Sequence, residues 1–140
     1  KEYYEKSVDL NDPKGFINLA NLYENGLGVQ KDYLKARKYY EKAAKQNNSQ
    51  ALLKLGDIYE NGYGVRQDHK KAKEYYESSA LLNDSDAMNN LGAMYMSGFG
   101  VKQNPSKAKE YYELAGRLGN STALANLGDI YYEGIIVEKS

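Results

Sequence analysis

The 140-residue chain has no cysteine, no tryptophan, two prolines and one histidine. Without cysteine there is no disulfide, and no thiolate for a metal or a substrate. That absence leaves the compartment open, since exported and cytosolic proteins both do without cysteine; a soluble protein, with the cytoplasm preferred, is the expectation. Lys and Arg number 19, as do Asp and Glu. A net charge of zero argues against nucleic acid as a partner, because that hold needs an excess of basic residues. No apolar run approaches the roughly 18–20 residues of a membrane span, so no membrane insertion is expected. The opening Lys1-Glu2-Tyr3-Tyr4-Glu5 lacks the apolar stretch of a leader peptide. It also lacks an initiating Met, which gives the expectation of a longer parent protein.

What the chain has in excess is tyrosine: 15, against two phenylalanines. So lopsided a usage suggests one motif copied several times, and self-comparison at an offset of 36 finds it. Leu19, Leu55, Leu91 and Leu127 align, as do Tyr23, Tyr59, Tyr95 and Tyr131. Gly26, Gly62, Gly98 and Gly134 follow, then Gly28, Gly64 and Gly100, then Val29, Val65, Val101 and Val137. The phrase Tyr-Tyr-Glu recurs at 3–5, 39–41, 75–77 and 111–113. Twelve of the 15 tyrosines stand in repeated columns, which makes them core aromatics with a hydroxyl at the edge rather than stacking platforms for bases or sugars.

Each unit reads as two helices. In residues 48–83, Asn48 is a candidate N-cap, matched by Asp12, Asp84 and Asn120. Pro13 follows Asp12 at the favoured first helical position. Helix A carries Leu52, Leu55, Gly56 and Tyr59 at i, i+3, i+4 and i+7, one apolar stripe. Gly62 ends it, since glycine tolerates the left-handed conformation beyond a helix end, and Val65 is expected to tuck under the loop. Asp68 caps helix B, matched by Asp32 and Asn104. Ala72, Tyr75, Tyr76, Ser79 and Ala80 form the buried stripe of helix B, and Asn83, aligned with Asn11, Asn47 and Gly119, is its left-handed terminator. The small Gly56 and Ala72 let the helices approach.

No unit can bury its stripe alone, so neighbouring units must stack. The expected architecture is all-α: one solenoid domain of about four antiparallel helix hairpins, eight helices in all. Residues 1–11 supply a lone helix B, 12–47, 48–83 and 84–119 are full repeats, and 120–140 supply a last helix A and loop. Tyr3, Tyr4, Leu127 and Tyr131 then fall near open ends, where self-association or further repeats are expected.

The unit Ala51-x-x-x-Leu55-Gly56-x-x-Tyr59-x-x-Gly62-x-Gly64-Val65-x-x-Asp68-x-x-Lys71-Ala72-x-x-Tyr75-Tyr76-x-x-x-Ala80 resembles the Sel-one-like repeat, a relative of the tetratricopeptide repeat. The likeness covers essentially the whole chain. Departures are Gly15 and Gly116 for alanines and Ile136 for the second loop glycine. The resemblance implies a right-handed superhelix with the A helices on the concave side, and a role as adaptor or scaffold in protein complexes. A branch of the family with two cysteines per repeat has been linked to β-lactam binding; this chain, without cysteine, does not fit it.

With helix A facing inward, the groove is expected to be lined by Ile17, Asn18, Asn21, Glu24 and Asn25 in the first unit and by Leu53, Lys54, Asp57, Glu60 and Asn61 in the second. The third unit gives Asn89, Asn90, Ala93, Met96 and Ser97, and the last Ala125, Asn126, Asp129, Tyr132 and Glu133. Asn18, Asn90 and Asn126 form a column broken by Lys54. An amide both donates and accepts, so such a column suits the backbone of an extended protein or peptide partner. Leu53, Met96 and Tyr132 are candidate anchors for its side chains. The remaining features carry no chemistry. His69 lacks the converging ligands of a metal site and the neighbours of a triad, and reads as a solvated surface residue. Lys70 with Glu74 and Lys73 with Glu77 read as surface pairs worth a few tenths of a kcal/mol each. Gly62-x-Gly64 lacks the Lys-Ser/Thr of a phosphate loop. No cofactor, metal or enzymatic activity is expected. The alternative to a groove binder is a structural spacer or assembly element that associates through its ends or convex face.

Overall fold

In a computed structural model, described here for residues 12–132, the chain is all-helical. Seven helices are α1 (Pro13–Asn25), α2 (Tyr33–Ala44), α3 (Ser49–Asn61), α4 (His69–Leu81), α5 (Ser85–Ser97), α6 (Pro105–Arg117) and α7 (Ser121–Tyr132). Odd-numbered helices are A helices and even-numbered ones B helices. The eighth expected helix, in residues 1–11, lies outside the described residues, as do Glu133, Gly134, Ile136 and Val137.

The local chemistry repeats from unit to unit. At the A helices Asn48 and Asp84 each accept from the third residue on, Ala51 and Ala87, at 3.0 Å, and Asn120 accepts from Ala123 at 2.8 Å. Asp12 instead accepts from Lys14 at 3.0 Å, beside Pro13, which has no N–H to offer. Asp32, Asp68 and Asn104 cap the B helices on Lys35, Lys71 and Lys107. Each such cap stabilises its helix by about 1 kcal/mol. Gly26, Gly62 and Gly98 end the A helices with φ near +70°, and Asn47, Asn83 and Gly119 reverse the chain after the B helices, also at positive φ. The Asp68 N–H donates to the Tyr59 carbonyl at 2.8 Å, a bond repeated from Asp32 to Tyr23 and from Asn104 to Tyr95, so each loop is locked to the helix it leaves.

The main helix contacts run between consecutive helices. Leu19, Leu55 and Leu91, Ala36, Ala72 and Ala108, and Tyr40, Tyr76 and Tyr112 form the buried rows. The two tyrosines of each pair do different work. The second is buried, and its ring lies within 2.6 Å of where a Cβ on Gly56 or Gly92 would stand. The first is half-buried and stacks on the tyrosine of helix A: Tyr39 on Tyr23, Tyr75 on Tyr59 and Tyr111 on Tyr95, with centroids 5.8–5.9 Å apart. Val29, Val65 and Val101 pack under their loops against the core.

The buried arc of an A helix is wider than the single stripe read from the sequence. Ala51, Ile58, Ala87, Met94, Ala123 and Ile130 are also buried. The reason is that α3, α5 and α7 each meet the preceding B helix, and α3 and α5 meet the following one too. Ser79 remains polar at zero exposure because its hydroxyl donates to the Ser49 carbonyl at 2.8 Å.

Candidate partner-binding face

The A helices and the loops after them frame two adjoining hollows. One, of about 310 Å³, lies among Glu24, Asn25, Lys31, Tyr33, Lys54, Asp57, Asn61 and Tyr63. The other, of about 340 Å³, lies among Asp57, Glu60, Asn61, Tyr76, Asn90, Ala93, Met94, Ser97 and Phe99. Asp57 and Asn61 of α3 wall both. A third hollow, of about 490 Å³, opens on the other side beside α2, among Lys38, Glu41, Lys42, Lys45 and Tyr75.

Several residues expected on this face are bound to the protein itself. Asn21 accepts the Tyr40 hydroxyl at 2.5 Å, and Glu24 accepts it at 3.1 Å. Asp57 accepts the Tyr76 hydroxyl at 2.6 Å. These are the buried tyrosines of the B helices, so Asn21 and Asp57 fasten B to A. Burial, followed by Asp57, pushes the Tyr76 hydroxyl far above its ordinary pKa, and burial, followed by Glu24, does so at Tyr40. Burial also raises the Asp57 carboxyl, opposed by the Tyr76 hydrogen bond and Lys54. In the third unit Ala93 stands in this column, and Tyr112 is raised by burial alone.

The other expectations divide. Asn18 is exposed. Asn90 is half-buried in the second hollow, beside Tyr76. Asn126 is half-buried and donates to Asn89 Oδ1 at 3.0 Å, an amide bridge between units. Lys54 lines the first hollow. Leu53 and Met96 are half-buried and packed on the core, so each offers an edge rather than a whole side chain. Asp129 is exposed, and Tyr132 is 93 % exposed. Ile17 corrects the expectation outright: at 4 % exposure it belongs to the core, as part of the wider buried arc.

His69 is likewise no solvated bystander. It is half-buried, its Nδ1 lies 2.7 Å from Glu60 Oε1, and its ring stacks on Phe99 at 5.1 Å. The matching contact one unit earlier is Tyr33 on Tyr63 at 5.3 Å. Each loop aromatic therefore rests on the first residue of the preceding B helix. The 36-residue period sets Tyr63 and Phe99 at equivalent loop positions, but only the structure shows that they wall the hollows. Of the two expected surface pairs, Lys73 reaches Glu77 at 3.4 Å, whereas Lys70 and Glu74 form no ion pair.

The Sel1 repeat family model matches residues 17–48, 49–84, 85–120 and 121–140. The chain belongs to the Sel1 repeat family. A Sel1 repeat protein from Oxalobacter formigenes is 35% identical over 93% of this chain and 53% of that one, with a TM-score of 0.86. The protective antigen c5321 of uropathogenic Escherichia coli, which displays the same fold, is 36% identical over 95% of this chain and 29% of its own length, with a TM-score of 0.87. Helicobacter pylori cysteine-rich protein B is 34% identical, covers 90% of both chains and has a TM-score of 0.70. No curated protein matches the chain. It spans about half the length of the first of these relatives and under a third of the second. These likenesses establish a right-handed α/α Sel1 solenoid. Sel1 repeat proteins generally serve as protein-interaction scaffolds, and the fold is typically non-enzymatic. Among the described residues no helix is long and apolar enough to cross a membrane, and no group of acidic or histidine side chains could hold a metal ion.

Proposed function

We propose that this Sel1 array is an adaptor that holds an extended segment of a partner protein along the face of its A helices. The observation that carries the reading is the pair of adjoining hollows sharing Asp57 and Asn61, with Asn90 at the wall of one and Lys54 at the wall of the other. Asn18, Asn90 and Asn126 hydrogen-bond the segment's backbone. Lys54 and the exposed Asp129 meet its charges, and the edges of Leu53 and Met96, with Tyr132, meet its apolar side chains. Asn21, Asp57 and Asn89 shape the face while bound to Tyr40, Tyr76 and Asn126.

The test begins with a pull-down by the 140-residue chain and mapping of the captured segment as a synthetic peptide. Replacing Asn18, Asn90 and Asn126 together by Ala should then weaken that peptide by about tenfold or more while circular dichroism is unchanged. Undiminished affinity would overturn the reading.

A further inference from the structure

A departure from the repeat gathers on α2, beside the third hollow. Lys38, Lys42 and Lys45 line that hollow at i, i+4 and i+7, so they share one helix face over about 10 Å, two turns. All three are exposed. One unit on, the same columns hold Glu74, Ser78 and Leu81, and two units on they hold Glu110, Leu114 and Arg117. The basic stripe therefore belongs to this unit and not to the fold.

The hollow behind the stripe is bounded by three helices. Ala44 of α2, Leu55 of α3 and Tyr75 of α4 supply its apolar wall, around a volume of about 490 Å³. Glu41 is the one carboxylate among the described residues that line it, and Arg37 already faces it at 3.9 Å. Arg37 Nε is buried with no hydrogen-bond acceptor, so that pair leaves no negative charge to spare for the lysines. Lys38 and Lys45 enter no ion pair among the described residues. Lys42 lies over the rings of Phe16 and Tyr39, at 5.6 Å from each, which leaves its charge uncancelled.

An apolar hollow under uncompensated positive charge fits a segment that is both acidic and apolar. A polyanionic surface fits it worse. Nucleic acid or an anionic membrane would run on past one unit, and there it would meet Glu74 and Glu110 in the column of Lys38. We propose that the hollow between α2 and α4 is a docking site for an acidic amphipathic helix of a partner protein. A helix repeats the i, i+4, i+7 spacing, so its carboxylates pair with Lys38, Lys42 and Lys45. An apolar side chain beside them enters against Ala44, Leu55 and Tyr75. Charge selects the partner, and the apolar wall fixes its register. The inference goes beyond the groove of the A helices and does not depend on it. With both sites occupied, the array joins two proteins.

The probe is a synthetic amphipathic helix with Glu at i, i+4 and i+7 and Leu beside them, titrated into the isotope-labelled 140-residue chain. Binding should saturate, with amide shifts gathered on α2 and α4. Replacing its Glu by Gln, or its Leu by Ser, should each weaken it about tenfold or more. Lys38→Glu combined with Lys45→Gln should do the same while circular dichroism is unchanged, because both positions are exposed and Lys42 stays over its rings. No saturable binding, shifts confined to the A helices, or an affinity indifferent to the two lysines overturns the proposal. Tighter binding of phosphatidylserine vesicles or duplex DNA than of the Glu-Leu helix overturns it in favour of a polyanionic surface. Self-association of the chain that the lysine variant abolishes overturns it in favour of a second copy. Alanine at Asn18, Asn90 and Asn126 should leave this probe's affinity unchanged, so failure of the groove reading is distinguishable from failure of this one.

Discussion

Tyr76 serves two neighbours at once: its ring occupies the notch over Gly56 and its hydroxyl donates to Asp57. Tyr76→Ala removes both and should cost about 3 kcal/mol or more, while Tyr76→Phe leaves Asp57 without its donor and should cost roughly 1–2 kcal/mol. Tyr63→Ala, at a ring 39 % exposed over Tyr33, should cost much less than the first. Comparable denaturation midpoints for Tyr76→Ala and Tyr63→Ala would contradict this division of buried and exposed rings. Burial raises the hydroxyl pKa of Tyr40, Tyr76 and Tyr112. As pH climbs, the unfolded chain therefore ionises first, near the ordinary tyrosine value of about 10, and releases protons that the folded chain retains. Stability fully present below that value is lost as pH rises above it. Urea midpoints measured from about pH 8 to about pH 11 should fall in the upper part of that range, and less steeply in Tyr112→Phe. A flat profile would contradict the burial of these hydroxyls. The double tyrosine was legible in the sequence as a core feature. That its two members divide into a stacked ring and a buried ring was not, because consecutive helical residues point about 100° apart and only the neighbouring helix decides what each meets.

At the scale of the element, the two glycines of each loop answer different demands. Gly62 ends helix α3 in the left-handed region, as Gly26 and Gly98 end α1 and α5. Gly64 has φ +68°, and a Cβ there would lie 2.6 Å from the Cβ of Tyr33 in the preceding unit. Gly28 has φ +75° with nothing within 4 Å. Alanine at either position incurs the left-handed penalty of roughly 1–2 kcal/mol, but only Gly64→Ala also pushes two units apart. The excess cost of Gly64→Ala over Gly28→Ala should be about 1–3 kcal/mol, read from paired denaturant titrations. Equal costs would remove the inter-unit role of the second glycine. Helix ends were legible because a cap or a left-handed residue acts within its own turn. The buried arc of the A helices was only half legible: Ile58, Met94 and Ile130 fall outside the stripe that faces the B helix of their own unit, and they are buried because the preceding B helix lies on the other side.

For the whole molecule, contacts chiefly between consecutive helices mean that stability is close to a sum of unit and interface terms. The same regularity explains what remained illegible about the groove. A 36-residue period tells which residues share a column, and it sets Asn21, Asp57, Ala93 and Asp129 in one. Whether a member is available to a partner depends on a tyrosine 19 positions away in the next helix, present for Asn21 and Asp57.

The sequence by itself determined the helical repeat, its caps and turns, and the family. Those follow from residues acting within one turn or at a fixed offset. Only the tertiary structure decided which inward-facing side chains are spent holding helix B to helix A and which stay exposed on that face. That choice is made by through-space hydrogen bonds and ring contacts between helices, and no local rule contains the distance across which they form.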